Sequence, residues 1–200
     1  MAKLYVAYGS NLNIQQMASR CPGAKLYGTG VIENFELQFK GQPHGAFATI
    51  APKDGASVPV AVWEISKRNE QALDRYEGYP SHYFKQDVPV QLDGKEVTAM
   101  VYVMNLKMDF GLPAPYYYDV VREGYEDCGL DPTALEQALR ESTAQFYGSH
   151  WPHQESIFRF ESDAEPDEDE LEEDDDPDLD EDEPELDETD PFYFSEGMHL

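Results

Sequence analysis

Two short stretches of the chain carry residues that can do chemistry together. One is Tyr8-Gly9-Ser10-Asn11-Leu12, and the other is Glu77 within Leu73-Asp74-Arg75-Tyr76-Glu77-Gly78-Tyr79-Pro80. In the first, Gly9 permits close backbone approach, and free N–H groups at a helix start point toward a bound anion. Ser10 and Asn11 add side-chain hydrogen bonds. The same residues also suit a plain helix cap, so the motif read alone leaves both roles open. In the second, a carboxylate stands where a helix gives way to a Gly–Pro turn, among Tyr76, Tyr79 and Tyr83. Burial against aromatic rings raises a carboxyl pKa and makes it an effective general base. A solvated Glu at a helix end is the ordinary alternative.

The flanking elements must place these groups. Residues 3–8 alternate as a first strand, broken by Gly9-Ser10-Asn11, and residues 13–20 read as a short helix closed by Cys21-Pro22-Gly23. Residues 25–39 form a β-rich segment with Phe35, Leu37 and Phe39 on one face. A Gly- and Pro-containing loop at 41–45 leads to two further strands, 47–51 and 58–64. Ser66 caps a helix running to Tyr76, with Leu73 and Tyr76 on one face. Residues 83–92 and 95–104 make a hairpin across Asp93-Gly94. Asp131-Pro132 starts a last helix that carries Leu135, Leu139 and Phe146. Strands dominate without repeated βαβ units. The expected fold class is α+β: a mixed, mostly antiparallel, barrel-like sheet with a few flanking helices.

Charge divides the chain. Of 41 acidic residues, 21 fall in residues 161–190, a stretch without Lys or Arg, whereas residues 1–160 hold 19 acidic against 14 basic residues. The net charge of −27 therefore describes a tail, and residues 1–150 have the composition of an ordinary globular domain. The expected organisation is a domain over 1–150, a connecting segment over 151–160 and a disordered acidic tail over 161–200. That tail ends in an apolar cluster, Pro191-Phe192-Tyr193-Phe194 with Met198 and Leu200. It is a candidate for docking onto a protein partner, a basic one by charge, or back onto the domain. Nucleic acid is excluded as a partner by phosphate repulsion. No apolar run reaches the ~20 residues of a membrane span, and the N-terminus lacks the pattern of a signal peptide. Cys21 and Cys128 lie far apart and read as two buried free thiols. A cytoplasmic location is expected.

Taken in order, the two motifs resemble one family. YGSNL directly after the first strand, then LDxxEGYPxxY (Leu73, Asp74, Glu77, Gly78, Tyr79, Pro80, Tyr83) and a hairpin, is similar to the γ-glutamylcyclotransferase-like proteins. A looser match is Pro113, Tyr117, Val121, Gly124 and Gly129-Leu130, and the likeness spans about residues 3–148. It implies release of 5-oxoproline from a γ-glutamyl compound by attack of the substrate's own α-amino group, with no cofactor or metal. It also implies that Glu77 is the acid/base and that Tyr8, Gly9, Ser10, Asn11 and Leu12 hold the glutamyl head. Tyr83 and Tyr117 are candidates to line the pocket. The EGYP sequence is more similar to the γ-glutamylamine and uncharacterised bacterial branches than to the glutathione-degrading one. A non-catalytic module that binds a γ-glutamyl or other carboxylated ligand is the alternative.

Two metal readings are weaker. His150 and His153 flank Trp151-Pro152, which interrupts a helix, and zinc needs three or four convergent ligands. The tail's Asp174, Asp176, Asp178, Asp180 and Glu185 match acidic spacings of a calcium loop, but Leu179 replaces the turn glycine and Pro177 and Pro184 intrude.

Overall fold

The computed structural model describes residues 2–150. The expected connecting segment, the acidic tail with its aromatic end, His153 and the calcium-like spacing lie outside the described residues. Five strands close into a barrel: β1 (Lys3–Ala7), β2 (Lys25–Gln42), β3 (Gly45–Ile65), β4 (Tyr83–Leu92) and β5 (Lys95–Met104). Their order around the barrel is β1-β3-β2-β4-β5. Neighbours pair antiparallel except β1 and β5, which run parallel, with Tyr5 opposite Met100 and Val6 opposite Val101. The mixed, mostly antiparallel barrel with flanking helices is the fold class expected.

Alternation explains which side chains fill it. Val6, Ile32, Val58, Val60, Val62, Val90 and Val101 are buried to 1% exposure or less, and burying such side chains drives closure at roughly 1.5–3 kcal/mol each. Exposed pairs such as Arg122–Glu126 contribute far less. At the β4–β5 hairpin both turn residues, Asp93 and Gly94, take positive φ (47° and 76°), the primed turn that the sequence signals.

Three expectations need correction. The two strands expected at 47–51 and 58–64 are one, β3, which pairs with β2 along nearly its whole length. The intervening Pro52–Ser57 stretch is absorbed as an irregularity opposite Asn34, whose φ is +60° and whose Oδ1 accepts from the Gly55 N–H at 3.1 Å. The expected loop at 41–45 contracts to a tight turn, since Gln42 pairs directly with Gly45. A helix not anticipated, α3 (Pro115–Asp127), follows α1 (Ile14–Arg20) and α2 (Lys67–Tyr76) and precedes α4 (Thr133–His150). Pro115 opens it, and Val120, Val121, Gly124 and Tyr125 form its buried face.

The topology decides where the site can be. Parallel pairing sets the C-terminal ends of β1 and β5 side by side, and antiparallel pairing brings the start of β4 there too, with Tyr83 opposite Met104. The Tyr8 hydroxyl donates to the Tyr102 carbonyl at 2.6 Å, and the Tyr83 hydroxyl donates to the Ala48 carbonyl of β3 at 3.0 Å. One barrel end thus collects residues from four strands.

Candidate active site

Glu77 reaches that end because α2 is fixed at both of its termini. At its start, Ser66 Oγ accepts from Asn69 N at 3.2 Å and Asn69 Oδ1 accepts from Ser66 N at 3.0 Å, a reciprocal capping box. At its end, Glu77 N donates to Leu73 O at 2.8 Å and Tyr79 N donates to Asp74 O at 2.9 Å. Gly78 makes this stop possible, with φ of +63° and the His82 ring 2.7 Å from where a Cβ would sit. The following Tyr79–Pro80 peptide is cis. Asp74 ties the helix to β5 and β4, accepting from the Tyr102 hydroxyl and pairing with Lys85, each at 2.6 Å. Leu73 is buried, but Tyr76, expected on the same face, is 48% exposed, with one face of its ring covered by the Arg20 guanidinium at 3.8 Å.

The YGSNL segment leaves β1 as a turn of 3₁₀ helix over Ser10–Leu12. Asn13 then caps α1, its side chain accepting from Gln16 N at 2.9 Å. Ser10 and Asn11 are therefore not the cap, which frees their side chains for the barrel end. Asn11 Nδ2 donates to Glu77 Oε1 at 3.0 Å and to the Tyr5 hydroxyl at 2.8 Å. Ser10 Oγ lies 3.2 Å from the Tyr76 hydroxyl. The amides of Gly9, Ser10 and Asn11 have no backbone acceptor among the described residues. Tyr117, from α3, accepts from Ala48 N at 3.1 Å and lies 3.2 Å from the Cβ position of Gly9.

Tyr5, Tyr8, Gly9, Ser10, Asn11, Ala48, Glu77, Tyr83, Tyr102 and Tyr117 line one small cavity of about 30 Å³, roughly the share of one water. A ligand reaching Glu77 must extend outward from it. Phe47 packs edge-on against Tyr117 at 5.0 Å and is half exposed, as is Tyr76, so the outer side is aromatic. Six of the seven residues expected to bind or line the pocket therefore converge with Glu77. Leu12 does not: its side chain is fully buried in the core and does not line the cavity, while its carbonyl accepts from Cys128 Sγ at 3.3 Å. Cys21 is buried and Cys128 half-buried, both free. A larger cavity of about 470 Å³ lies between the β2–β3 irregularity and α4. Its charged lining is paired within itself: Lys53 bridges Glu36 and Glu141, and Gln137 donates to Glu141 Oε1 at 2.6 Å.

Sequence reasoning missed Tyr5, Tyr102 and Arg20. Tyr5 and Tyr102 read as ordinary strand aromatics, and only the parallel β1–β5 pairing brings them together, edge to face (ring centroids 5.9 Å). Arg20, at the end of α1, donates from one nitrogen to Asn11 Oδ1 (2.7 Å) and Ser10 Oγ (3.1 Å) and from the other to Gln16 Oε1. Its placement one helix beyond the motif left no local signal.

The electrostatics favour a proton carrier. Burial pushes the Glu77 carboxyl up from 4.5 to about 7, opposed by the Arg20 charge and the Asn11 hydrogen bond. Burial likewise raises Tyr5, Tyr8, Tyr83, Tyr102 and Tyr117, so the surrounding hydroxyls stay neutral. The residue as a whole is half-buried, but its carboxyl end is the part enclosed by these rings. Because the folded chain holds this proton more tightly than the unfolded chain, the stabilisation is complete below about pH 4.5 and is lost as pH rises through 7. We expect the stability of the wild type relative to Glu77→Gln to fall by up to ~3 kcal/mol across that window. Urea unfolding of both proteins at a series of pH values measures it, and carboxylates elsewhere cancel in the difference.

Among the described residues no helix is long and apolar enough to cross a membrane, and no cluster of three or more His, Cys, Asp or Glu is placed to hold a metal ion.

The family model described as "Gamma-glutamyl cyclotransferase, AIG2-like" matches residues 5–119. A Bos taurus γ-glutamylcyclotransferase is 34% identical over 140 residues, 64% of this chain and 72% of the relative. A Homo sapiens γ-glutamylcyclotransferase is 32% identical over 146 residues, 68% of this chain and 77% of the relative. A solved structure of a γ-glutamyl cyclotransferase superposes with a TM-score of 0.63 at 32% identity, covering 70% of this chain and 87% of its own.

Proposed function

Since the chain belongs to the γ-glutamyl cyclotransferase, AIG2-like family, we propose that it releases 5-oxoproline from a γ-glutamyl compound, with Glu77 carrying protons. The observation that carries this reading is a single carboxyl, Glu77, held by Asn11 Nδ2 at 3.0 Å in a tyrosine-lined cavity, where burial raises its pKa. A site that only bound a carboxylated ligand would gain nothing from a carboxylate there and would lose affinity once it ionised.

The reaction needs little from the protein beyond placement. The substrate's α-amino nitrogen attacks its own γ-carbonyl carbon, the lactam C–N bond forms and the bond to the departing nitrogen breaks. Starting from the α-ammonium, two protons pass to the leaving nitrogen, so Glu77 ends as it began. A carboxyl with pKa near 7 can both accept and return them at neutral pH. Nucleophile and electrophile are already tethered, and holding the tether bent is worth several kcal/mol, on the order of 7 or more in well-oriented cases. Ser10 Oγ and the amides of Gly9, Ser10 and Asn11 are the donors offered to the glutamyl carboxylate and the developing oxyanion. Tyr83 and Tyr117 wall the cavity.

The leaving group is either an amine or an amino acid. A γ-glutamylamine, including an isopeptide to lysine, is the first substrate to try, with γ-glutamyl amino acids beside it. The aromatic surface of Phe47 and Tyr76 suits an apolar leaving group in both classes. The experiment is 5-oxoproline release by purified protein from γ-glutamylamines, γ-glutamyl amino acids and glutathione. Release identifies the branch by its leaving group, and silence of folded protein across the panel refutes the proposal. A cytoplasmic location and a protein partner for residues 161–200 remain proposals drawn from composition.

A further inference from the structure

We propose that Arg20 is a positioning residue that fixes the Asn11 amide and, through it, which oxygen of Glu77 faces the substrate. The inference rests on the reading of Glu77 as proton carrier. Its physical basis is the one-way chemistry of the guanidinium, which has donors and no acceptor. One nitrogen of Arg20 sits 2.7 Å from Asn11 Oδ1 and 3.1 Å from Ser10 Oγ, the other reaches Gln16 Oε1, and the plane stacks 3.8 Å over the Tyr76 ring. Only the oxygen of the Asn11 amide can face those donors, so the amide nitrogen must face the other way. There both of its hydrogens are used, on Glu77 Oε1 at 3.0 Å and on the Tyr5 hydroxyl at 2.8 Å. An oxygen that accepts from N–H is the poorer place for a proton. The acid's proton therefore sits on Oε2, which has no hydrogen-bond partner among the described residues and remains available to substrate.

The groups around Glu77 make Arg20 the source of charge. Tyr5 of β1, Tyr8 just after it, Tyr83 of β4, Tyr102 of β5, Tyr117 of α3 and Tyr76 of α2 are hydroxyls, and burial raises the first five. Arg20, on α1, is the cation whose field reaches the carboxyl. It opposes the effect of burial, so it keeps Glu77 ionisable near neutrality. A lysine could supply the charge but not the planar fork and stack.

The test compares Arg20→Met, Arg20→Lys, Asn11→Ala and the double variant Arg20→Met/Asn11→Ala. Two readouts are used: kcat/KM against pH for 5-oxoproline release, and the Glu77 carboxyl titration by 13C NMR, assigned by difference from Glu77→Gln. In Arg20→Met, kcat/KM at pH 7 should fall about tenfold or more. Its acid limb and the NMR titration should both move up by about half a pH unit or more. Arg20→Lys should titrate near the wild type yet turn over more slowly. The losses in Arg20→Met and Asn11→Ala should not add in the double variant. An unmoved Glu77 titration in folded Arg20→Met, wild-type turnover in Arg20→Lys, or additive losses would each overturn the proposal. If the wild type releases no 5-oxoproline at all, the function fails, while the NMR titration still decides whether Arg20 governs Glu77.

Discussion

Glu77→Gln is expected to lower kcat for 5-oxoproline release by about 10²- to 10⁴-fold, the usual worth of a positioned acid/base, with KM little changed. Gln has the same shape, and its Oε1 can still accept from Asn11 Nδ2, the contact that Glu77 makes at 3.0 Å. What disappears is a group able to take a proton and return it. The chain should stay folded, and above pH 7 it should be more stable than the wild type, because a charge no longer has to be held among the buried tyrosine rings. Steady-state kinetics alongside urea unfolding separate this from simple loss of structure. Turnover within twofold of wild type would show that the proton path does not run through Glu77.

A second large effect lies away from the cavity. Gly124 of α3 rests on the 3₁₀ turn so closely that a Cβ would stand 2.6 Å from both Asn13 N and Leu12 Cβ, and 2.8 Å from Leu12 C. Two of these are backbone atoms, which no rotamer change can move aside. In Gly124→Ala either the helix or the turn must shift. Overpacking of this kind costs about 1–3 kcal/mol, a fall in Tm of several degrees. The turn carries Ser10 and Asn11, and a displacement near 1 Å at a reacting site costs on the order of 10²-fold in rate. We expect a loss in kcat/KM larger than the lost stability alone explains. Gly148→Ala is the control: a Cβ there meets nothing within 4 Å, and the position lies in α4, so it should leave activity intact and stabilise slightly. Thermal unfolding and kinetics of the pair measure both effects.

Much of this site was legible because its chemistry is written locally. Gly78 after a helix, a carboxylate just before it and tyrosines on either side are features of adjacent residues, and so is a glycine turn after a first strand. The hairpin at Asp93-Gly94 is legible for the same reason: two positive φ angles are a property of those two residues. The rest depends on distance in the chain. Nothing near Tyr5 or Tyr102 indicates that β1 and β5 pair in parallel, yet that pairing creates the barrel end on which the site is built. Membership in the motif puts Leu12 in the pocket on paper, whereas an apolar side chain at the end of a 3₁₀ turn finds more buried surface under α3. β3 appeared as two strands because Pro52, Asp54 and Gly55 break its alternation, and only partnership with β2 carries the strand through them. α3 lacked a polar N-cap, and its apolar face, Val120, Val121, Gly124 and Tyr125, is too short a pattern among so many strand-forming residues.

The most direct test of the mechanism follows the products from a matched pair of substrates, a γ-glutamyl compound accepted in the panel and the same compound acetylated on its α-nitrogen. With Glu77 moving protons and the substrate supplying its own nucleophile, the free compound should give 5-oxoproline and the departing amine in equal amounts, and the acetylated one should give neither. Free glutamate as the product, or release of the amine from the acetylated compound, would mean that water or a protein side chain attacks the carbonyl, and would contradict the account.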